Sequence, residues 1–344
     1  MTDLITSVAD GVGRITLNRP RAINALTHEM ILGIADALER WRTDSEVAMV
    51  VIDGAGERGL CSGGDIRGLR EHALEGRNDL SRRFWHDEYE LCATIDEYPK
   101  PYISLMTGIT MGGGVGVSAH GSIRIVTETS RVAMPETRIG FSPDVGGTWL
   151  LAQAPGELGT YLALSGATMN GADALACGFA DYYVPADRLH HLLQAFGERA
   201  DPGSPGEVVL LFDETPPPSE LESQREWIDR CYSADSVTEI IERLRAETSA
   251  EAQAAADELD VLSPMALTVA LAAVRRAREL SSLRDALASE YRISSWLAEQ
   301  PDLAEGIRAQ VVDKDRAPKW VPSSLAAVPA SLAESALSHE PPRH

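Results

Sequence analysis

Two glycine-rich turns and a pair of carboxylates are the residues whose types and spacing can do chemistry. The first turn is Gly59-Leu-Cys61-Ser62-Gly63-Gly64-Asp65-Ile66, and the second is Gly108-Ile-Thr-Met-Gly112-Gly113-Gly114-Val-Gly116. Glycine lets a backbone approach a ligand closely. A triple glycine opening an apolar helical stretch leaves free N–H groups at a helix N-terminus. Such groups suit an oxygen that becomes negative during a reaction, and two such turns could each supply one N–H to a single carbonyl oxygen. The carboxylates follow: Glu136 in Met134-Pro-Glu136-Thr and Asp144 in Ser142-Pro-Asp144-Val-Gly146-Gly147. Ala133 and Met134 make the surroundings of Glu136 apolar, and a partly desolvated carboxylate is a better base or nucleophile. Its alternative reading is a helix-cap or surface carboxylate.

Both turns need strands to aim them. Ala48 to Asp53 is a continuous apolar run, read as a strand buried on both sides ahead of the first turn. Pro101 to Met106 is the strand ahead of the second, and a helix is expected from the triple glycine through His120. Further strands are expected at Leu4–Ala9, Gly13–Leu17, Ser122–Val126, Arg131–Met134 and Ala180–Val184, with Asp10-Gly11 as a hairpin turn. Thr27 is an N-cap for a helix to about Thr43, whose Met30, Ile31, Ile34, Leu38 and Trp41 share one face. A long amphipathic helix, Leu80 to Tyr98, carries Glu88, which by its position alone reads as a solvent-facing carboxylate. Strand, glycine turn and helix in succession indicate α/β winding. From Glu220 to about Gln310 the sequence is nearly all helical.

Composition narrows the function classes. The chain has 344 residues, 44% apolar, with a formal charge of −21. That charge opposes nucleic-acid binding. A polyanionic ligand would need local cations, and Arg19, Arg21, Arg67 and Arg70 flank the two turns. No apolar run reaches the roughly 18 to 20 residues that span a bilayer, so no membrane partner is expected. The start, Met1-Thr-Asp-Leu, reads as neither a secretory signal nor a transit peptide, which makes the cytoplasm the expected location. Cysteines 61, 92, 177 and 231 form no CxxC pair, and no metal site is expected. Cys61 reads as a packing residue rather than a nucleophile. The spacing at Gly112–Gly116 competes poorly as a dinucleotide fingerprint, and no Ser-His-Asp arrangement on a Gly-x-Ser-x-Gly elbow is present.

With these motifs the chain resembles the crotonase (enoyl-CoA hydratase/isomerase) superfamily over roughly residues 5 to 322. Met-Pro-Glu136-Thr, Phe-Ser-Pro-Asp144-Val-Gly-Gly, Glu305-Gly-Ile-Arg-Ala and Asp313-Lys-Asp-Arg-Ala-Pro-Lys-Trp320 are similar to its 3-hydroxyisobutyryl-CoA hydrolase branch. The resemblance implies an α/β crotonase (ClpP/crotonase-like) fold of repeated ββα units with a helical C-terminal region. It implies a core over residues 1–200, a helical region over 201–322 packing on it, and, from composition, a disordered tail over 323–344. By motif position, the amides of Gly64 and Gly113 form the oxyanion hole, and Ala22 to Leu26 borders the CoA channel. Glu136 and Asp144 are catalytic, and Glu88 binds substrate, holding a substrate hydroxyl together with Asp144. Glu136 either attacks the thioester or activates water. The implied reaction is hydrolysis of a short 3-hydroxyacyl-CoA, foremost 3-hydroxyisobutyryl-CoA, as in valine breakdown. CoA is part of the substrate, so no separate cofactor is implied, and a homo-oligomer is compatible with the superfamily. Hydratases of the superfamily carry a second catalytic glutamate where this chain has Gly116, which disfavours hydratase activity within the enoyl-CoA hydratase/isomerase alternative. The other alternative is a non-catalytic acyl-CoA-binding subunit.

Overall fold

The computed structural model describes residues 2–198 and 204–342. The chain forms two compact units that alternate along the sequence. One comprises Met1–Gly64, Asp87–Ala133 and Thr168–Glu220; the other comprises Asp65–His86, Met134–Ala167 and Leu221–His344. Residues 65–86 and 134–167, expected in the core, thus group with the helical C-terminal region.

Among the described residues all strands lie in the first unit. They are β1 (Leu4–Ala9), β2 (Val12–Leu17), β3 (Met49–Gly54), β4 (Tyr102–Met106), β5 (Ile109–Met111), β6 (Ile123–Val126), β7 (Arg131–Ala133) and β8 (Tyr182–Tyr183). Six make one sheet in the order β1-β2-β3-β4-β6-β8, while β5 and β7 make a second, two-stranded sheet. β1 and β2 are an antiparallel hairpin, and every other pair is parallel. Asp10 and Gly11 turn the hairpin with φ of 51° and 80°, the left-handed pair that matches strand twist. β4 is buried along its whole length, and β3 is buried except at Gly54, as a parallel strand covered on both faces must be. One core gathers Met49, Val51, Ile103, Leu105, Ile123 and Ile125 under Leu192, Phe196, Val208 and Val209. The helix His28–Arg42 is capped by Thr27, whose hydroxyl accepts from the Met30 amide at 3.2 Å, and it buries the expected apolar face. Trp41 lies so close over Gly13 that a Cβ there would sit 2.8 Å from its ring.

The second unit is helical. Ser236, Ser249, Ser263 and Ser282 each accept the amide three residues on and so start the helices Val237–Ala246, Ala250–Val261, Pro264–Ala277 and Leu283–Leu297. Pro264–Ala277 is buried almost all round and contacts Gly147–Gln153 and Leu158–Ser165.

Two expectations change. The helix after the triple glycine is a single turn, Gly113–Gly116, and does not reach His120. Glycine is a poor helix former, and the Ser118 hydroxyl donates to Gly114 O at 2.6 Å, a local alternative to further helix. The tail is ordered over Leu332–Leu337, because Leu332 and Ala336 are buried against Pro264–Ala277 and Leu283–Leu297. Composition misses this, since two apolar residues suffice once a groove exists. After residues 199–203, which lie outside the described residues, Pro205–Val209 is helical.

Candidate functional site

In the first unit the two glycine turns run alongside each other. Isolated bridges join Gly59 to Gly108 and Cys61 to Thr110. Cys61 N donates to Ile109 O at 3.0 Å, and Met111 N donates to Cys61 O at 2.9 Å. Gly59 and Gly108 have φ of 143° and 51°, and a Cβ on Gly108 would meet the Arg58 carbonyl at 2.6 Å, so a side chain fits at neither. Asn24 fixes the Ala22–Leu26 segment here: its amide donates to Ala55 O and Gly59 O, each at 3.1 Å, and its oxygen accepts Arg19 N at 2.9 Å. Leu26 N then donates to Gly63 O at 2.9 Å.

This weave brings Gly64, Gly113 and Glu88 together. A Cβ built on Gly113 would sit 3.2 Å from Gly64 N and 2.6 Å from Glu88 Oε1. Turn hydrogen bonds use the amides of Cys61, Met111, Gly112, Val115 and Gly116, which leaves those of Gly64 and Gly113 outside the described backbone hydrogen bonds. Glu88 is 2% exposed, so the solvent-facing reading is wrong. Its helix, Asn78–Asp96, buries Tyr89, Leu91 and Cys92 around it. Cys61 is fully buried and burial pushes its thiol up to about 12, which makes it inert at neutral pH. Gly116 is buried inside the single helical turn.

In the second unit Glu136 and Asp144 belong to one folded stretch. Glu136 opens the 3-10 turn Glu136–Ile139, which Gly140 closes at φ 71°. Phe141 N donates to Glu136 O at 3.0 Å. Thr137 Oγ1 donates to Leu164 O at 3.0 Å, and Arg138 pairs with Glu258, both anchoring the turn to helices. Phe141 stacks on Trp85 with ring centroids 5.3 Å apart. Asp144 sits before Val145 and Gly146, both left-handed with φ of 52° and 78°, and Gly147 N donates back to Asp144 O at 2.6 Å. The Met134 methyl packs on Gly147, where any Cβ would collide with it. Glu136 and Asp144 are each 6% exposed, so neither is a surface carboxylate.

Sequence reading missed Glu290. It is fully buried on Leu283–Leu297 and accepts Gly146 N at 2.7 Å, Thr148 N at 2.9 Å and Thr148 Oγ1 at 2.5 Å. Desolvation pushes its carboxyl up to about 8, with the charge of Asp144 adding to the rise and the three donors opposing it. The available signal was positional: Glu290 stands on the apolar stripe of Leu283, Leu287, Ile293 and Leu297. Of the arginines proposed for a polyanion, Arg19 donates to Ala25 O at 2.6 Å and pairs with Asp3, and Arg67 donates to Val311 O at 3.1 Å.

Residues 12–337 match the family model for enoyl-CoA hydratase/isomerase. The chain is similar to the mitochondrial 3-hydroxyisobutyryl-CoA hydrolase of Danio rerio, 42% identical over 95% of this chain and 87% of that protein. The Homo sapiens protein of that name is 38% identical over 91% of this chain and 82% of its own. Among solved structures, a carnitinyl-CoA dehydratase from Mycobacterium thermoresistibile superposes with a TM-score of 0.94 at 48% identity, over 99% of this chain and 98% of that one. An enoyl-CoA hydratase from Rhodobacter sphaeroides 2.4.1 gives 0.92 at 41% identity, over 98% of each. The α/β fold is therefore the crotonase fold expected from the motifs. The cytoplasmic expectation is overturned: the hydrolase relatives are named as mitochondrial.

Proposed function

The chain belongs to the enoyl-CoA hydratase/isomerase family, and from that premise we propose that it hydrolyses the thioester of 3-hydroxyisobutyryl-CoA to 3-hydroxyisobutyrate and CoA. That reaction would place it in valine breakdown. The relatives named as hydrolases support this reading. The observation that carries it against hydration is Gly116. Adding water across an enoyl bond needs two carboxylates to share its protons, and at Gly116 there is no side chain to hold the second.

In this reading the Gly64 and Gly113 amides take the thioester oxygen as it becomes an oxyanion. Losing one such donor typically costs about 3 kcal/mol of barrier. Glu136 supplies the attack in one of two ways. Its carboxylate adds to the carbonyl carbon, CoA leaves as thiolate, and water cleaves the resulting mixed anhydride. Alternatively it takes a proton from water, whose oxygen adds to the carbon before the thiolate departs. Asp144 orients the water or the leaving group, and Glu88 with Asp144 holds the substrate hydroxyl. The reading makes the chain a catalyst acting on an acyl-CoA, not a passive acyl-CoA-binding subunit.

A second reading, dehydration or hydration, is favoured by the names of the two solved structures. A panel of acyl-CoA esters separates the readings. Hydrolysis releases free thiol from 3-hydroxyisobutyryl-CoA; hydration changes enoyl absorbance without thiol; a binding subunit does neither. Glu136→Gln should abolish thiol release while CoA-ester binding stays largely intact. Unchanged turnover in that variant removes Glu136 from the mechanism.

A further inference from the structure

A buried carboxyl is expensive to keep unless its polar atoms are hydrogen-bonded, and Glu290 serves no step assigned above. Its partners are specific. Both of its oxygens are used, one by Gly146 N at 2.7 Å and the other by Thr148 N at 2.9 Å and Thr148 Oγ1 at 2.5 Å. These are consecutive anchor points on the turn that carries Asp144. The turn needs anchoring. Val145 is β-branched and left-handed at φ 52°, a conformation such residues avoid and that persists only where the surroundings over-determine it. Gly146 follows at φ 78°. Two hydrogen bonds from the amides just beyond Val145, with a third from a hydroxyl, are the restraint that turn requires.

We propose that Glu290, reaching from the helix Leu283–Leu297, is a positioning residue that pins the Gly146–Thr148 backbone and thereby holds Asp144 in place. The assignment rests on the catalytic reading of Asp144. Glu290 touches no substrate in it and acts only through the turn. Glutamine at 290 keeps one carbonyl oxygen for Thr148 but turns an amide NH2 toward Gly146 N–H, so one bond is lost and two donors face each other. Valine at 148 removes only the hydroxyl bond and keeps the shape.

The test has two arms. Hydrogen–deuterium exchange is followed in Glu290→Gln and Thr148→Val, peptide by peptide. The pin predicts lost protection confined to residues 142–148, larger in Glu290→Gln, with Pro264–Ala277 and Leu283–Leu297 unchanged. Thiol release from 3-hydroxyisobutyryl-CoA is then measured for Glu290→Gln, Asp144→Asn and the double variant. The expected kcat loss in Glu290→Gln is at least about tenfold, and Glu290→Gln should add almost nothing in the Asp144→Asn background, since residues acting as a unit are non-additive. Losses that multiply, or exchange that rises evenly through the helices, overturn the proposal and leave Glu290 an ordinary core residue. If the unmodified enzyme releases no thiol, the hydrolase reading fails on its own and the exchange arm still decides the pin. Should Glu290→Gln not fold, Thr148→Val carries both arms, with unchanged exchange in 142–148 as the overturning result.

Discussion

At the scale of single residues, burial decides what each carboxyl does. Glu88, Glu136 and Asp144 would all pass in the sequence for helix or loop surface, yet each is nearly inaccessible. Glu290 is the extreme case, and it makes stability depend on pH with a definite sign. Its folded value is about 8 against an ordinary 4.5. Between these values the folded state holds a proton that the unfolded chain gives up. The stability tied to that proton is fully present below about pH 4.5 and is lost as pH rises through about 8, at about 1.4 kcal/mol per pH unit in between. Urea denaturation across pH 5 to 8 should therefore show the advantage of wild type over Glu290→Gln shrinking as pH rises. A pH-independent difference would mean that Glu290 is ionised throughout. Cys61 shows the same logic applied to sulfur: with its thiol pushed up to about 12, it serves by accepting Gly63 N at 3.3 Å rather than by reacting.

At the scale of elements, turns rather than helices carry the candidate chemistry. The Glu136–Ile139 turn ends at Gly140, whose φ of 71° excludes most residues and whose Cβ would lie 2.5 Å from the Asp302 carbonyl. Asp302 is itself held: it accepts Ser263 Oγ at 2.5 Å and Val321 N at 2.8 Å. The carbonyl therefore cannot retreat cheaply. Gly140→Ala should cost about 1 to 3 kcal/mol from backbone strain alone, with more from the collision. It should also lower thiol release by displacing the turn that begins at Glu136. Equilibrium denaturation and the thiol assay measure both, and a stable, fully active Gly140→Ala would show that the turn tolerates movement.

At the scale of the whole molecule, both units are built from discontinuous stretches of chain. The final helix shows how late in the sequence the second unit is completed. Leu332 and Ala336 bury themselves on Pro264–Ala277 and Leu283–Leu297, and a fully buried leucine is worth about 1.5 to 3 kcal/mol. Truncation after Pro322 should lower the melting temperature by a few degrees while thiol release survives at low temperature. An unchanged melting temperature would mean that the helix contributes nothing by docking.

Local patterns in the chain were enough for most of the elements of the first unit. Asp10-Gly11 specifies the opening hairpin; the apolar run at 48–53 specifies a central strand; Thr27 starts its helix; and the glycines at 63–64 and 112–114 mark turns. These signals are short-range, because backbone sterics, capping and turn formation involve residues a few positions apart. Long-range packing decided the rest. It ordered Leu332–Leu337, buried Glu88, and set Glu290 against a turn about 140 residues earlier in the chain. No spacing rule reaches that far: whether a carboxyl on an apolar stripe is an error or an anchor depends on which amides the folded chain delivers to it.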